Sequence, residues 1–175
     1  GDHVLAAASR LQGASGGCAQ AATLAWSPDG KWIAFGRLTR AHPGIDLGLI
    51  SPDGTHLQLL RHRSNTVNVF PAWSPDGKRI AFAVGPSNGG PNALAVIDRD
   101  GKHLQLLTPR PNMINLSPTW SPDGKRIAFE VGSNDGGPGP STLAVIDRDG
   151  SHRRTILHVR GYLYGPGPAW QHQRM

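Results

Sequence analysis

The fold is decided by the stretch Trp26-Ser27-Pro28-Asp29-Gly30-Lys31, which recurs at 73–78 and 120–125, each time 47 residues after the last. A short apolar run follows each copy, ending at Phe35, Phe82 and Phe129. Self-similarity at a fixed period is typical of repeat proteins built from one supersecondary unit. Within each copy, Pro fixes the φ angle that the second position of a type I turn requires, and Asp is tolerated at the third position. Gly then adopts the left-handed conformation. Each copy is therefore predicted to be a tight turn between two strands.

A second motif completes each unit. It ends in Asp53-Gly54, Asp100-Gly101 and Asp149-Gly150, and a further strand is predicted after each, over 56–60, 103–107 and 152–157. Each unit thus holds four short strands in an antiparallel meander. Both faces of the second strand are apolar, so each sheet must be covered on both sides. Radially stacked four-stranded sheets, the blades of a β-propeller, satisfy this requirement.

The fold class is therefore all-β, with three complete four-stranded antiparallel blades and one spare strand at each end. We treat 1–175 as a single partial propeller. Its three complete blades are predicted at 18–60, 68–108 and 115–157. The outer strand of an incomplete blade is predicted at 1–12, and the inner strand of a further blade at 167–175. Propellers close with about 4 to 8 blades. We expect the ring to be completed by homo-oligomerisation, with a dimer favoured. A natural fragment and an engineered or recently duplicated protein remain alternatives.

Composition excludes several classes of protein. At 175 residues the chain has room for one domain and none for a separate catalytic domain. Cys18 is the single cysteine, which excludes an intrachain disulfide and a cysteine-based metal cluster. No apolar run approaches the ~18 residues of a membrane span. The net charge of +6 favours an anionic partner.

The repeat resembles a known family. A Trp-Ser-Pro-Asp-Gly-Lys-x-Ile-Ala-Phe stretch, followed by a strand that ends in Asp-x-Asp-Gly, is similar to the TolB-like, WD-repeat-like propeller repeat. The resemblance covers nearly the whole chain. It implies blades that serve as protein-protein interaction scaffolds, or as propellers attached to peptidases and some sugar lyases. It also implies a periplasmic or extracellular location.

Basic residues are predicted to gather on one face of the propeller. The long loop of each blade and the connections between blades emerge on the face opposite the tight turns, and we call it the loop face. Its predicted binding residues are Arg37, Arg40, Arg61, Arg63, Arg110 and Arg160. Loops on a rigid scaffold often carry binding sites, so we expect an acidic protein, peptide or small anion there. Nucleic acid is not expected, because exposed aromatic residues do not alternate with the basic ones.

The other repeated residues are interpreted as structural. The turn set comprises Trp26, Asp29, Gly30, Trp73, Asp76, Gly77, Trp120, Asp123 and Gly124. Four histidines at equivalent positions would lie too far apart on the rim to share a metal ion, whose bonds are about 2 Å long. The Asp-x-Asp-Gly pairs lack the distal Glu of an EF-hand. We predict no metal and no cofactor.

No catalytic residue is predicted. The serines of the Trp-Ser-Pro-Asp-Gly turn recur in every blade, whereas catalysis needs one site. Glu130 and Asp135 are the acids of the third unit outside its turns, and they are interpreted as surface residues. The favoured function is a non-enzymatic scaffold. A hydrolase or lyase fragment of the propeller type is the alternative, and an engineered or truncated propeller without its own activity is another.

Overall fold

The computed structural model describes residues 24–38, 43–61, 63–108, 113–132 and 141–159. These residues form strands, turns and loops, with no helix among them. The strands make three four-stranded antiparallel meanders, named blades 1, 2 and 3 here. Blade 1 contains β1 (Leu24–Trp26), β2 (Ile33–Leu38), β3 (Gly44–Ile50) and β4 (Leu57–Arg61). Blade 2 contains β5 (Thr66–Trp73), β6 (Arg79–Pro86), β7 (Ala93–Asp98) and β8 (Gln105–Leu106). Blade 3 contains β9 (Ile114–Trp120), β10 (Arg126–Gly132), β11 (Ser141–Asp147) and β12 (Arg154–Val159).

The predicted all-β propeller fold is confirmed, and its core lies between the blades. One buried cluster joins Leu47 and Leu49 of blade 1 to Trp73 and Phe82 of blade 2. A second cluster joins blade 2 to blade 3. Successive side chains of a strand point to opposite faces, so Ile80, Phe82 and Val84 of β6 belong to the first cluster and Ala81 belongs to the second. The three blades do not close a ring by themselves.

Blades 1 and 2 also meet through a short parallel pairing. Gly44 and Ile45 of β3 lie beside Thr66 and Val67 of β5. Gly44 has a φ of 141°, and a Cβ at this position would collide with the carbonyl oxygen of Thr66. Glycine is therefore required where the two backbones approach so closely.

The Trp-Ser-Pro-Asp-Gly stretch folds as a hydrogen-bonded turn in all three blades. In blade 2, the Gly77 amide donates to the Ser74 carbonyl over 2.9 Å. The Ser74 hydroxyl donates to Asp76 Oδ1 over 2.6 Å and accepts the amide of Arg79 over 2.9 Å. Gly77 has a φ of 65°, in the left-handed region that glycine adopts without strain.

The outer strands differ from the prediction. They start at Leu57, Gln105 and Arg154, later than predicted, and β8 is limited to Gln105–Leu106. His103 and His152 have positive φ angles of 51° and 50°, so the chain is still turning where strands were predicted to begin. The predicted terminal strands at 1–12 and 167–175 lie outside the described residues.

Candidate functional site

A tryptophan joins each of blades 2 and 3 to the blade before it. The indole N–H of Trp73 donates to the Ala25 carbonyl over 3.0 Å, and that of Trp120 donates to the Ala72 carbonyl over 3.1 Å. Both indoles are nearly covered, with 8% and 6% of their surface exposed. The two junctions are therefore built alike, and the tryptophan of each turn motif faces the preceding blade.

An asparagine adds a second repeated bond at each junction. Asn68 Nδ2 donates to the Ile45 carbonyl over 2.7 Å, and Asn115 Nδ2 donates to the Asn92 carbonyl over 2.6 Å. Both asparagines are buried. The turn motifs did not indicate these two asparagines, although they lie 47 residues apart, as do the two residues whose carbonyls accept the bonds. That shared spacing was the signal.

Two glycine contacts complete each junction. A Cβ at Gly77 or Gly124 would lie 3.7 Å from Cδ of the proline in the preceding blade's turn, Pro28 or Pro75. A Cβ at Gly101 would lie 3.3 Å from the carbonyl oxygen of Leu60. The same contact recurs between Gly150 and Leu107 at 3.4 Å. Blades 2 and 3 therefore each present a tryptophan and two turn glycines to the preceding blade.

The outer sides of blades 1 and 3 lack these contacts in the described part of the chain. We call the side of blade 1 that carries Trp26, Gly30 and Gly54 the upstream face. Trp26 is 59% exposed, and no residue described here lies within 4 Å of a Cβ at Gly30 or Gly54. We call the opposite side of blade 3 the downstream face. There Ile156, which corresponds to Leu60 and Leu107, is 51% exposed, whereas those leucines are 9% and 4% exposed.

Three of the six predicted binding arginines are described, and all three belong to blade 1 or its connection to blade 2. Arg37 is half-buried in β2, where it lies opposite the buried Asp46. Arg61 ends β4, and Arg63 is exposed in the connection that follows. Arg40, Arg110 and Arg160 lie outside the described residues, so their place relative to this group stays a prediction.

Arg61 is distinguished from the other two described arginines by a buried donor atom. It is half-buried, and its Nε is buried without a hydrogen-bond partner in the described structure. Burial lowers the pKa of its guanidinium, and the charge of Arg63 lowers it further. A guanidinium still remains protonated at neutral pH. A buried cationic donor without a partner favours an incoming anion, because a charged hydrogen bond would restore the solvation it has lost.

The tight-turn face carries a groove that the sequence analysis did not predict. It encloses about 310 Å³ between blades 2 and 3 and is lined by Asp76, Arg79, Asp123 and Arg148 among others. Arg79 Nε lies 3.4 Å from Asp98 Oδ1. Since acids and cations share this groove, it shows no preference for one sign of charge.

The turn serines, His103 and His152 make hydrogen bonds within their own blades. The turn serines donate to the turn aspartates, as Ser121 Oγ does to Asp123 Oδ1 over 2.6 Å. His103 and His152 contact Asp98 and Asp147 of their own blades, with Nδ1 to Oδ2 distances of 2.8 and 2.9 Å. No group of three or more metal-binding side chains occurs among the described residues. None of the described segments is a helix long and apolar enough to cross a membrane.

Comparison with known proteins agrees with this architecture. The sequence model of the TolB beta propeller domain matches residues 17–140, well over half of the chain. The chain belongs to this family. No curated protein matches this TolB-like chain in sequence.

Solved structures share the fold of the TolB-like chain. A TolB-type protein from Agrobacterium tumefaciens is 23% identical, with a TM-score of 0.70 over 85% of this chain and 54% of its own. An oligogalacturonate lyase in complex with manganese is 11% identical, with a TM-score of 0.60 over 79% of this chain and 39% of its own. A nidogen/laminin complex is 15% identical, with a TM-score of 0.59 over 79% of this chain and 49% of the matched chain. The TolB-like chain spans about half the length of the first of these, and such likeness shows the fold alone.

Proposed function

We propose that this chain is a non-enzymatic propeller scaffold that self-associates through its blades and binds an acidic peptide, protein or small anion on its loop face. The observation that supports binding is Arg61, whose buried Nε is without a partner among the described residues and lies close to the charge of Arg63. Family membership supports the scaffold role, and by the same resemblance we propose a periplasmic or extracellular location.

The turn hydroxyls support a structural rather than a catalytic role. Ser27, Ser74 and Ser121 are buried, and each donates to the aspartate two residues later. Each also accepts a backbone amide from the following strand. A hydroxyl engaged in this way at every repeat holds a turn together, whereas a nucleophile needs a neighbouring base and a free approach.

The binding proposal is tested with a fluorescein-labelled hexaglutamate peptide and fluorescence anisotropy. The double variant Arg61→Ala/Arg63→Ala should weaken binding by about tenfold or more, because truncating a charged partner in a partly desolvated site costs well over 1 kcal/mol. The matched control Lys78→Ala/Lys125→Ala removes two exposed charges from the tight-turn face and should leave affinity unchanged.

A conservative variant separates binding from folding, because Arg61 is half-buried. Arg61→Lys keeps the charge but loses the planar array of donors, so binding should weaken while the thermal midpoint of unfolding stays close to the original. The binding proposal fails if both arginine variants fold and bind hexaglutamate as tightly as the unmodified chain at low salt. It also fails if the lysine control weakens binding equally.

A further inference from the structure

The upstream face of blade 1 repeats, feature by feature, the surface that blades 2 and 3 present to their predecessors. Trp26, Gly30 and Gly54 correspond to Trp73, Gly77 and Gly101 of blade 2. In blade 2 these residues meet the Ala25 carbonyl, Pro28 and Leu60 of blade 1. In blade 1 the corresponding indole is 59% exposed and the two glycines have open space beside them in the described structure. The face is therefore built to be covered by another blade of the same kind.

The downstream face of blade 3 carries the complementary features. Pro122 corresponds to Pro28 and Pro75, which lie beside the turn glycines Gly77 and Gly124 of the next blade. Ile156 is the residue of β12 that is skipped in the pairing with β11, and Leu60 is the residue of β4 that is skipped in the pairing with β3. The two residues therefore occupy the same position in their blades. Leu60 is buried against the turn of the next blade, whereas Ile156 is 51% exposed.

We infer that the upstream face of blade 1 binds the downstream face of blade 3 in a second copy of the chain, with Ile156 against Gly54 and Pro122 against Gly30. A second copy is the favoured occupant because this chain itself supplies both matching surfaces. The inference rests on the proposed self-association and names the surface that performs it. Because two different faces meet, the contact is heterologous, and a closed dimer contains it twice.

Charged substitutions on the two faces test this inference. Trp26→Glu and Ile156→Arg each place a charge on one face, and both residues are more than half exposed, so neither change empties a core. Each variant alone should be a monomer of 18.6 kDa by light scattering at concentrations where the unmodified chain is a dimer. An equimolar mixture should regain the dimer through its one unmodified junction, which joins the upstream face of the Ile156→Arg chain to the downstream face of the Trp26→Glu chain. Leu106→Arg, an exposed leucine of the middle blade, is the control and should stay dimeric.

The outcomes separate the interface from self-association itself. A monomeric unmodified chain overturns the proposed self-association, while binding of hexaglutamate is measured independently. If the unmodified chain is a dimer but one of the two variants remains dimeric alone, the faces do not meet head to tail and the inference is wrong. A mixture that stays monomeric also overturns it.

Discussion

The junctions inside the propeller and its two open faces are made from the same residues in different surroundings. Trp73 and Trp120 are 8% and 6% exposed and donate to a backbone carbonyl of the previous blade, whereas Trp26 is 59% exposed. Ile156 differs from Leu60 and Leu107 in the same way. This contrast indicates that the repeat specifies a surface that a neighbouring blade must cover, rather than a sheet that is stable alone. A blade acquires its stability when a neighbour covers it.

The largest effect is expected from removing a junction tryptophan. Trp73→Ala should lower the free energy of unfolding by about 3–5 kcal/mol, because it empties a buried site. The lost bond to Ala25 adds to this cost. Trp26→Ala is the matched control and should cost less than about 1 kcal/mol in the monomer, since its indole is already exposed. Urea unfolding below the concentration of association measures both variants, and equal losses would contradict the comparison.

A smaller effect is expected at the buried asparagines. Asn68→Ala removes the donor that satisfies the Ile45 carbonyl at the first junction. The loss of this hydrogen bond, between a buried donor and a partly buried acceptor, should cost about 1 kcal/mol. Asn88 is exposed in the long loop of blade 2, so Asn88→Ala should be neutral in the same urea titration. If neither substitution changed the free energy of unfolding, the hydrogen bond between the blades would not stabilise the fold.

The turn aspartates give the stability a defined dependence on pH. Hydrogen bonds from the Ser51 hydroxyl and from Thr55 lower the pKa of Asp53 to about 2. Its unfolded pKa is about 3.9, so its contribution is present above about pH 4 and is lost as the pH falls towards 2. In Asp53→Asn the thermal midpoint should therefore fall less over this interval than in the unmodified chain. If the thermal midpoint fell equally with pH in both chains, the turn would not stabilise the ionised carboxylate.

Glu130 should make the stability depend on pH in the opposite direction, and this is the smallest of the expected effects. It is half-buried on β10, where blades 1 and 2 have Gly36 and Ala83, and burial raises its pKa. A raised pKa in the folded state means that stability falls as the pH rises through the interval above the unfolded pKa of about 4.3. Glu130→Gln should remove this dependence and raise the thermal midpoint slightly at pH 7. A lower midpoint at pH 7 would contradict it.

The repeat made the fold predictable, because three copies in register identify the turns and the apolar faces at once. Bonds between blades were harder to predict. The bond from Trp73 to Ala25 spans 48 positions, and nothing local to either residue indicates it. The start of each outer strand was also mispredicted, because the positive φ of His103 and His152 is imposed by the turn and not by residue type.

The loop face was predicted from topology, but its chemistry depends on burial. Arg61 and Arg63 look alike in sequence, yet Arg61 is half-buried with an unpartnered Nε in the described structure and Arg63 is exposed. Arg37 lies opposite a buried acid, a pairing set by the register of β2 and β3. The groove between blades 2 and 3 is lined by Arg79 of one blade and Arg148 of the other, a juxtaposition that the turn motif does not indicate.

The solution mass, measured by light scattering over a range of concentrations, tests the central claim most directly. If the open faces of blades 1 and 3 cover one another, the mass converges on twice the 18.6 kDa of the chain and stays there as concentration rises further. A mass that remains at 18.6 kDa at every concentration would contradict the claim that these faces meet in a second copy.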